Sequence, residues 1–236
     1  MWPPEPPLFA DRAEAGQRLG VRLRRLSPPL ERPIVYALPR GGVAVGAAVA
    51  AALGHAPLDL VLVRKIGAPG QPELALGAVV NGAEAETVLN ADVVALTGAD
   101  EAYIARARAQ ALAEIERRRQ LYLAGRPRPD PRGRAAVVVD DGLATGATAR
   151  AALHALRRRG PARLVLAVPV APPETIAALR GEADEIVCLA ESEIPFGIGG
   201  CYADFHQLDD AEVIRLLDAA AAAARSAPEG GGGSAG

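Results

Sequence analysis

The sequence predicts an α/β fold: a mainly parallel sheet with helices on both faces. Apolar runs of strand length alternate with segments of helical spacing along most of the 236 residues. That is the order a parallel sheet requires, because each strand needs a crossover back to the same end. The runs at 34–38, 58–63, 135–139, 163–170 and 185–190 lack the polar alternation of a half-exposed sheet, so both of their faces must be covered. Two of them, 34–38 and 135–139, leave through glycine-rich turns that open helices. Such turns mark the C-terminal ends of strands, where open α/β sheets bind ligands.

The elements follow in order. Residues 3–9 are proline-rich and irregular. Asp11 to Leu26 places Ala15, Leu19, Leu23 and Leu26 on one helical face. Ile34 to Leu38 is a strand after Pro33, "PRGG" opens a loop, and Val43 to Leu53 is an alanine-rich helix. Leu58 to Val63 is the second strand, and a further strand is expected at Leu76–Val80. Between them "GAPG" and "GQP" predict a lid within Gly67 to Gly82, with little regular hydrogen bonding at its start. Thr87 to Val94 is compatible with more than one structure. Thr97 followed by Asp100 resembles a capping box, and the long helix after it runs to about Leu123, with Glu114 and Arg118 as an i,i+4 pair and Gly125 as its stop. Arg126 to Arg134 alternates with proline as a linker. Ala135–Val139, a helix at Thr148–Arg159, a strand at Arg163–Val170, a short proline-started helix at Pro173–Arg180 and a strand at Glu185–Ala190 complete the alternation. Asp210 to Arg225 is a terminal helix. The expected organisation is one domain over 1–226, with a small C-terminal hood at about 191–209, and a flexible glycine-rich tail at 227–236.

Bulk properties exclude several classes. A composition 50% hydrophobic and 23% charged belongs to a globular chain. The core is large enough to need no disulfide, and Cys188 and Cys201 have no metal or redox spacing, so a reducing, cytoplasmic setting is expected. A net charge of −2 gives no field for nucleic acid. The arginine clusters at 22–25, 117–119 and 157–159 sit near helix C-termini, where solvated cations suit the dipole. Residues 1–10 lack the pattern of a signal peptide. The uncharged run Gly41–Leu58 is a loop plus a buried helix, not a membrane span. Lysine occurs once, at Lys65, against 25 arginines; a reserved role and simple chance are both open.

The chemistry gathers at two strand ends. "IVYALPRGGVAVG" (34–46) and "VVVDDGLATGATARAAL" (137–153) can each point backbone N–H groups and a helix N-terminus at an anion, which suggests a ligand with two separated phosphate groups. The second lacks the Gly-Lys-Ser/Thr ending of a P-loop, and Gly41, Gly42 and Gly46 miss the dinucleotide spacing. Asp140 and Asp141 repel each other, so both stay ionised only beside water, a cation or hydrogen-bond donors. Ribose hydroxyls are such donors and Mg²⁺ is such a cation. Thr145 and Thr148 offer hydroxyls to a phosphate, and Gly142 and Gly146 let the backbone curl. A plain turn with Thr148 as the helix cap is the alternative.

Residues 136–150, "AVVVDDGLATGATAR", resemble the phosphoribosyl pyrophosphate (PRPP) motif of type I phosphoribosyltransferases. The resemblance implies that Asp140 and Asp141 bind the ribose 2′ and 3′ hydroxyls and Mg²⁺. It implies that Gly142, Ala144, Thr145, Gly146, Ala147 and Thr148 wrap the 5′-phosphate. "ALPRGG" (37–42) resembles the pyrophosphate loop, making Arg40 and the N–H groups of Gly41 and Gly42 candidates for the leaving anion. "VRKIGAPGQPELALGAV" (63–79) stands where the family has its flexible catalytic loop. Lys65 is a catalytic candidate there beside Asp140, Asp141 and Arg40, while the roles of Arg64 and Glu73 stay open. "FGIGGCYADFHQL" (196–208) stands where a hood covers the acceptor. Phe196, Tyr202 and Phe205 could stack on a planar base or could pack the hood itself, and His206 is undecided. The last two segments are similar to a bacterial branch whose acceptor is mostly unassigned.

The implied function is transfer of phosphoribosyl from PRPP to a nitrogenous acceptor with release of pyrophosphate. The implied partners are PRPP and a small acceptor, without nucleic acid or membrane, and a homodimer is left open. A PRPP-binding regulator without turnover is the alternative; a dinucleotide-dependent oxidoreductase is disfavoured by the glycine spacing. For the acids, Asp141→Asn is expected to leave stability nearly unchanged or raised, and Asp140→Asn to carry more structural cost, being nearer the buried strand.

Overall fold

A computed structural model describes residues 6–80, 86–194 and 197–226. The central sheet is parallel and five-stranded. Its strands are β1 (Ile34–Ala37), β2 (Leu58–Leu60), β6 (Ala135–Val139), β7 (Arg163–Ala171) and β8 (Glu185–Glu191), in the order β2-β1-β6-β7-β8. A second, antiparallel sheet is made of β3 (Val63–Ala68), β4 (Gln71–Val80) and β5 (Glu86–Leu89). The helices are α1 (Arg12–Leu23), α2 (Gly41–Ala52), α3 (Ala91–Thr97), α4 (Glu101–Leu123), α5 (Ala147–Arg158), α6 (Pro173–Leu179) and α7 (Asp210–Ser226).

Period-two geometry explains why the parallel strands carry no polar positions. Ile34, Tyr36, Ala136, Val138, Leu164 and Leu166 point to one face and pack on Ala152, Leu153 and Leu156 of α5 and Leu179 of α6. Their neighbours Val35, Val137, Val139, Val165 and Ala167 point to the other face and meet Leu19 and Leu23 of α1 and Val45 and Val49 of α2. Each strand thus supplies two interiors.

Several boundaries differ from the sequence reading. The second strand stops at Leu60, and the chain runs from it into β3 of the other sheet. The expected lid start is a hairpin: β3 pairs with β4 from Val63↔Val80 to Ala68↔Gln71, with register shifts at Gly67 and the turn at Gly70. The glycines that suggested a lack of pairing instead provide the bulge and the tight turn. Pairing is favoured because β4 is covered on both sides, Ala78 and Val80 toward α5 and Leu76 and Val79 toward α4 and α7. Thr87 to Val94 divides into β5 and α3, split at Asn90, whose side chain accepts from the N–H groups of Asp92 and Val93. The cap of α4 is Asp100, which accepts from the Tyr103 N–H at 2.6 Å. Thr97 belongs to the preceding helix and bonds back to the Val93 carbonyl at 2.8 Å. Within the segment expected to form a hood, Ile198–Cys201 forms one 3-10 turn. Residue Phe196 and the tail 227–236 lie outside the described residues.

Candidate functional site

The sheet itself brings the two loops together. β1 and β6 are hydrogen-bonded neighbours in register Ala37↔Val139, so both chains leave the sheet side by side. Arg40 and Gly41 open α2 one residue after the cis Pro39–Arg40 bond. A Cβ on Gly41 would lie 1.8 Å from Asp141 Oδ2, and one on Gly42 would lie 2.9 Å from the Val139 carbonyl oxygen. Any larger residue at 41 would displace the carboxylate, so glycine is required here by close approach. One expected donor is already committed: the Gly42 N–H bonds to the Leu38 carbonyl at 3.1 Å.

The acidic pair is divided. Asp140 is half-buried, and its Oδ1 accepts from the Asp141 N–H at 2.9 Å. Burial first, and then the charge of Asp141, push its carboxyl well above the usual carboxylate range. Asp141 is only 9% exposed. Its Oδ2 accepts from Arg12 Nε at 2.8 Å, and its backbone carbonyl accepts from the Tyr202 hydroxyl at 2.6 Å. Arg12, itself 8% exposed, also donates to the His206 carbonyl at 2.9 Å and lies 3.8 Å over the Phe205 ring. Asp140 is therefore the more exposed member, with no ion pair among the described residues, and Asp141 is an anchored anion.

The loop after the pair has the opposite character. Ala144, Thr145 and Ala147 are exposed and Thr148 is half-buried. α5 begins at Gly146, in the left-handed conformation at φ 70°, with no side chain capping the helix. A Cβ there would also lie 2.9 Å from Leu179 Cδ1. The Thr148-cap alternative is thus set aside, and the first-turn N–H groups of a 12-residue helix stand open to an anion. The loop is pinned from behind: the Leu143 N–H bonds to the Val170 carbonyl at 3.0 Å, and the Thr175 hydroxyl donates to the Ala144 carbonyl at 2.6 Å.

Other candidates are not drawn into this cluster. Arg40 is half-buried at the start of α2 and makes no ion pair among the described residues; its charge acts on Tyr122, which donates to Asp210. Arg64 and Lys65 are exposed on β3, opposite Val79 and Ala78, and neither side chain has a hydrogen bond or ion pair among the described residues. The side chain of Glu73 lies outside the described residues. Tyr202 is corrected: at 5% exposure it packs between Phe9 and Phe205, with centroids 5.4 and 5.2 Å away, and cannot offer a face to a base. Phe205 is half-buried, with Arg12 over its ring and Tyr202 stacked beside it. Of the two uses considered for these aromatics, packing the hood is the one both adopt. His206 is exposed, its Nε2 3.0 Å from Glu212 Oε1, and that hydrogen bond pushes its pKa up.

Arg12 was not singled out by sequence reasoning. Its partner lies 129 residues away. A local signal existed nonetheless: Arg12 is the first residue of α1 after the Asp11 cap, where the helix dipole disfavours a cation. A local rule broken without local gain points to a distant partner.

The phosphoribosyl transferase domain model matches residues 22–206, which contain both strand-end loops. This chain belongs to the type I phosphoribosyltransferase family. It is 46% identical over 213 residues to two Mycobacterium tuberculosis proteins, from strains CDC 1551 and H37Rv, whose names assign them provisionally as phosphoribosyl transferases. The match covers 90% of this chain and 47% of each relative, so the chain spans about half the length of the curated relatives it matches. The crystal structure of TT1426 from Thermus thermophilus is 43% identical, with a TM-score of 0.74 over 89% of this chain and 97% of that one. Within this phosphoribosyltransferase-family fold, no helix among the described residues is long and apolar enough to cross a membrane.

Proposed function

We propose that the chain transfers the 5-phosphoribosyl group of PRPP to a nitrogenous acceptor, a nucleobase or related heterocycle, and releases pyrophosphate. The observation that carries the proposal is the place of the acidic pair between an open helix N-terminus and the start of α2, with Gly41 against Asp141 and Gly42 against the half-buried Asp140. Asp140 accepts hydrogen bonds from the ribose hydroxyls, with Asp141 fixed behind it. Gly142 and Ala144 to Thr148 take the 5′-phosphate. Arg40 and Gly41 face the pyrophosphate. The C1–O bond to pyrophosphate breaks and its electron pair leaves with the anion. A C1–N bond forms, and the acceptor nitrogen loses its proton. Positive charge develops on the sugar, so fixed anions beside it and cations beside the leaving group lower the barrier.

The residues fit Mg²⁺. The donors are carboxylate oxygens, and among the described residues no set of three or more His, Cys, Asp and Glu forms a complete cage. A hard cation that enters with a phosphorylated substrate needs only one or two carboxylates. Asp140 would hold it, together with the Asp141 oxygen not bound to Arg12. When bound, it neutralises pyrophosphate charge. A single domain over 1–226 with its hood at about 191–209 and a cytoplasmic setting belong to the same reading, which leaves a homodimer open.

Incubation with PRPP, Mg²⁺ and a panel of bases, scored by pyrophosphate release, tests the proposal. Base-dependent release is expected. PRPP binding without release for any base would favour the regulator reading, and the exposed Lys65, with no link to the acidic pair, is the observation on that side.

A further inference from the structure

The hood segment 198–206 touches the PRPP motif at three points. A Cβ on Gly142 would lie 2.7 Å from Ile198 Cγ2. The Tyr202 hydroxyl bonds to the Asp141 carbonyl at 2.6 Å. Arg12 joins the Asp141 carboxylate at 2.8 Å to the His206 carbonyl at 2.9 Å, with Phe205 under its guanidinium at 3.8 Å. The segment before α1 is stitched to the same part of the hood. The Phe9 N–H bonds to the Cys201 carbonyl at 3.1 Å, the Ala203 N–H to the Phe9 carbonyl at 2.9 Å and the Asp204 N–H to the Ala10 carbonyl at 2.8 Å.

This arrangement leaves the Asp141 carboxylate little freedom. Gly41 closes one side and Arg12 the other. Any shift of Asp141 moves the guanidinium, and the guanidinium carries the hood backbone with it. A rigid fork with several donors suits this double attachment, which a lysine ammonium cannot reproduce in geometry.

We propose that Arg12 is a positioning residue that couples the PRPP motif to the hood, so that filling the phosphoribosyl site orders the acceptor side. The inference rests on the PRPP reading above. Coupling of this kind is reciprocal: whatever fixes the hood also tightens PRPP. The sequence-distant N-terminal segment is thereby part of the acceptor side, although it carries none of the family motif residues.

Hydrogen exchange of the wild-type chain with and without PRPP and Mg²⁺, and calorimetric PRPP titration of wild type, Arg12→Lys and Arg12→Met, test it. In wild type, PRPP alone should slow exchange in both 9–12 and 198–206. In the variants, PRPP affinity should fall at least tenfold, and PRPP should no longer protect 198–206. A purely structural arginine would change the melting temperature but not the PRPP-dependence of hood exchange. The proposal is overturned if wild type binds PRPP with no change in either segment. It is equally overturned if a folded Arg12→Lys binds PRPP within twofold of wild type and protects the hood alike. If neither variant folds, the wild-type exchange decides alone. If wild type binds no PRPP, the functional proposal falls as well, an outcome distinct from loss of the coupling only.

Discussion

The end of β6 and the start of β3 both carry charge, yet they put it in opposite surroundings. At β6, Asp141 is buried, bonded to Arg12 and walled by Gly41. At β3, Arg64 and Lys65 are exposed and unpaired among the described residues. The first pair of charges is part of how the molecule folds, and the second is free of that duty. Mutations at the two places should therefore separate stability from chemistry. The same contrast revises the expectation for the acids: Asp141, not Asp140, is the member whose charge the fold depends on.

The largest effect on stability is expected for Asp141→Asn. It leaves the Arg12 guanidinium buried without its counter-charge, a loss of about 3 kcal/mol, or roughly 6–12 °C in Tm for a chain of this size. A Tm within about 2 °C of wild type would erase the contrast, because Asp141 would then be as free of the fold as Lys65. Arg12→Met should lose a similar amount, and the double variant with Asp141→Asn should lose less than the sum, as partners in one ion pair do.

Lys65→Ala is expected to change stability by less than about 0.5 kcal/mol, as exposed substitutions do. If Lys65 meets the leaving group mainly in the transition state, pyrophosphate release should fall much more than PRPP affinity. Equal losses in both would make Lys65 a PRPP-binding residue without a special role in the transition state, and no loss in either would leave β3 as an ordinary exposed strand.

The smallest effect concerns Asp59 on β2, a buried acid on which the charges of Arg128 and Arg159 act less strongly than burial does. It is 3% exposed; Oδ1 accepts from the Leu60 N–H at 2.8 Å, while Oδ2 has no hydrogen-bond partner among the described residues. Burial raises its pKa above 3.8. A folded-state pKa above the unfolded one means that the folded chain takes up the proton first. Wild-type stability should gain as pH falls through the raised value toward 3.8, and lose that gain as pH rises again. In Asp59→Asn the gain should be absent, which a Tm profile followed from neutral pH down toward 3.8 would show. Identical pH profiles would mean that Asp59 is not held out of water as described.

The parallel sheet was legible because Val137, Val138 and Val139 and their counterparts need apolar contacts on two faces, and no other structure in so short a run supplies them. The DDGLATGAT loop was legible because two adjacent acids straight after a buried strand break a local rule, and because the glycine- and hydroxyl-rich stretch that follows resembles a known motif. The hairpin was not: Gly67 and Gly70 read as breaks, while the cover that makes pairing favourable comes from α4, α5 and α7, distant in sequence. Asp100 was mistaken for the second member of a box because its own bond to Tyr103 can be seen only once the helix start is known. Tyr202 looked like a stacking surface, since composition reports that an aromatic is present and not which of its faces is covered. The division of labour between Asp140 and Asp141 was out of reach for the same reason as Arg12: alternation tells which way a side chain points, not what waits there.

Calorimetric titration of PRPP with Mg²⁺ into wild type and Asp140→Asn tests the central claim most directly. The half-buried acid without an ion pair should be needed for the ligand and dispensable for the fold. The expected result is saturable binding to wild type, at least tenfold weaker binding to Asp140→Asn, and a variant that melts no lower than wild type, because the substitution relieves a half-buried carboxylate repelled by Asp141. No binding to wild type, or equal binding to a folded Asp140→Asn, would contradict the assignment of the end of β6 as a phosphoribosyl site.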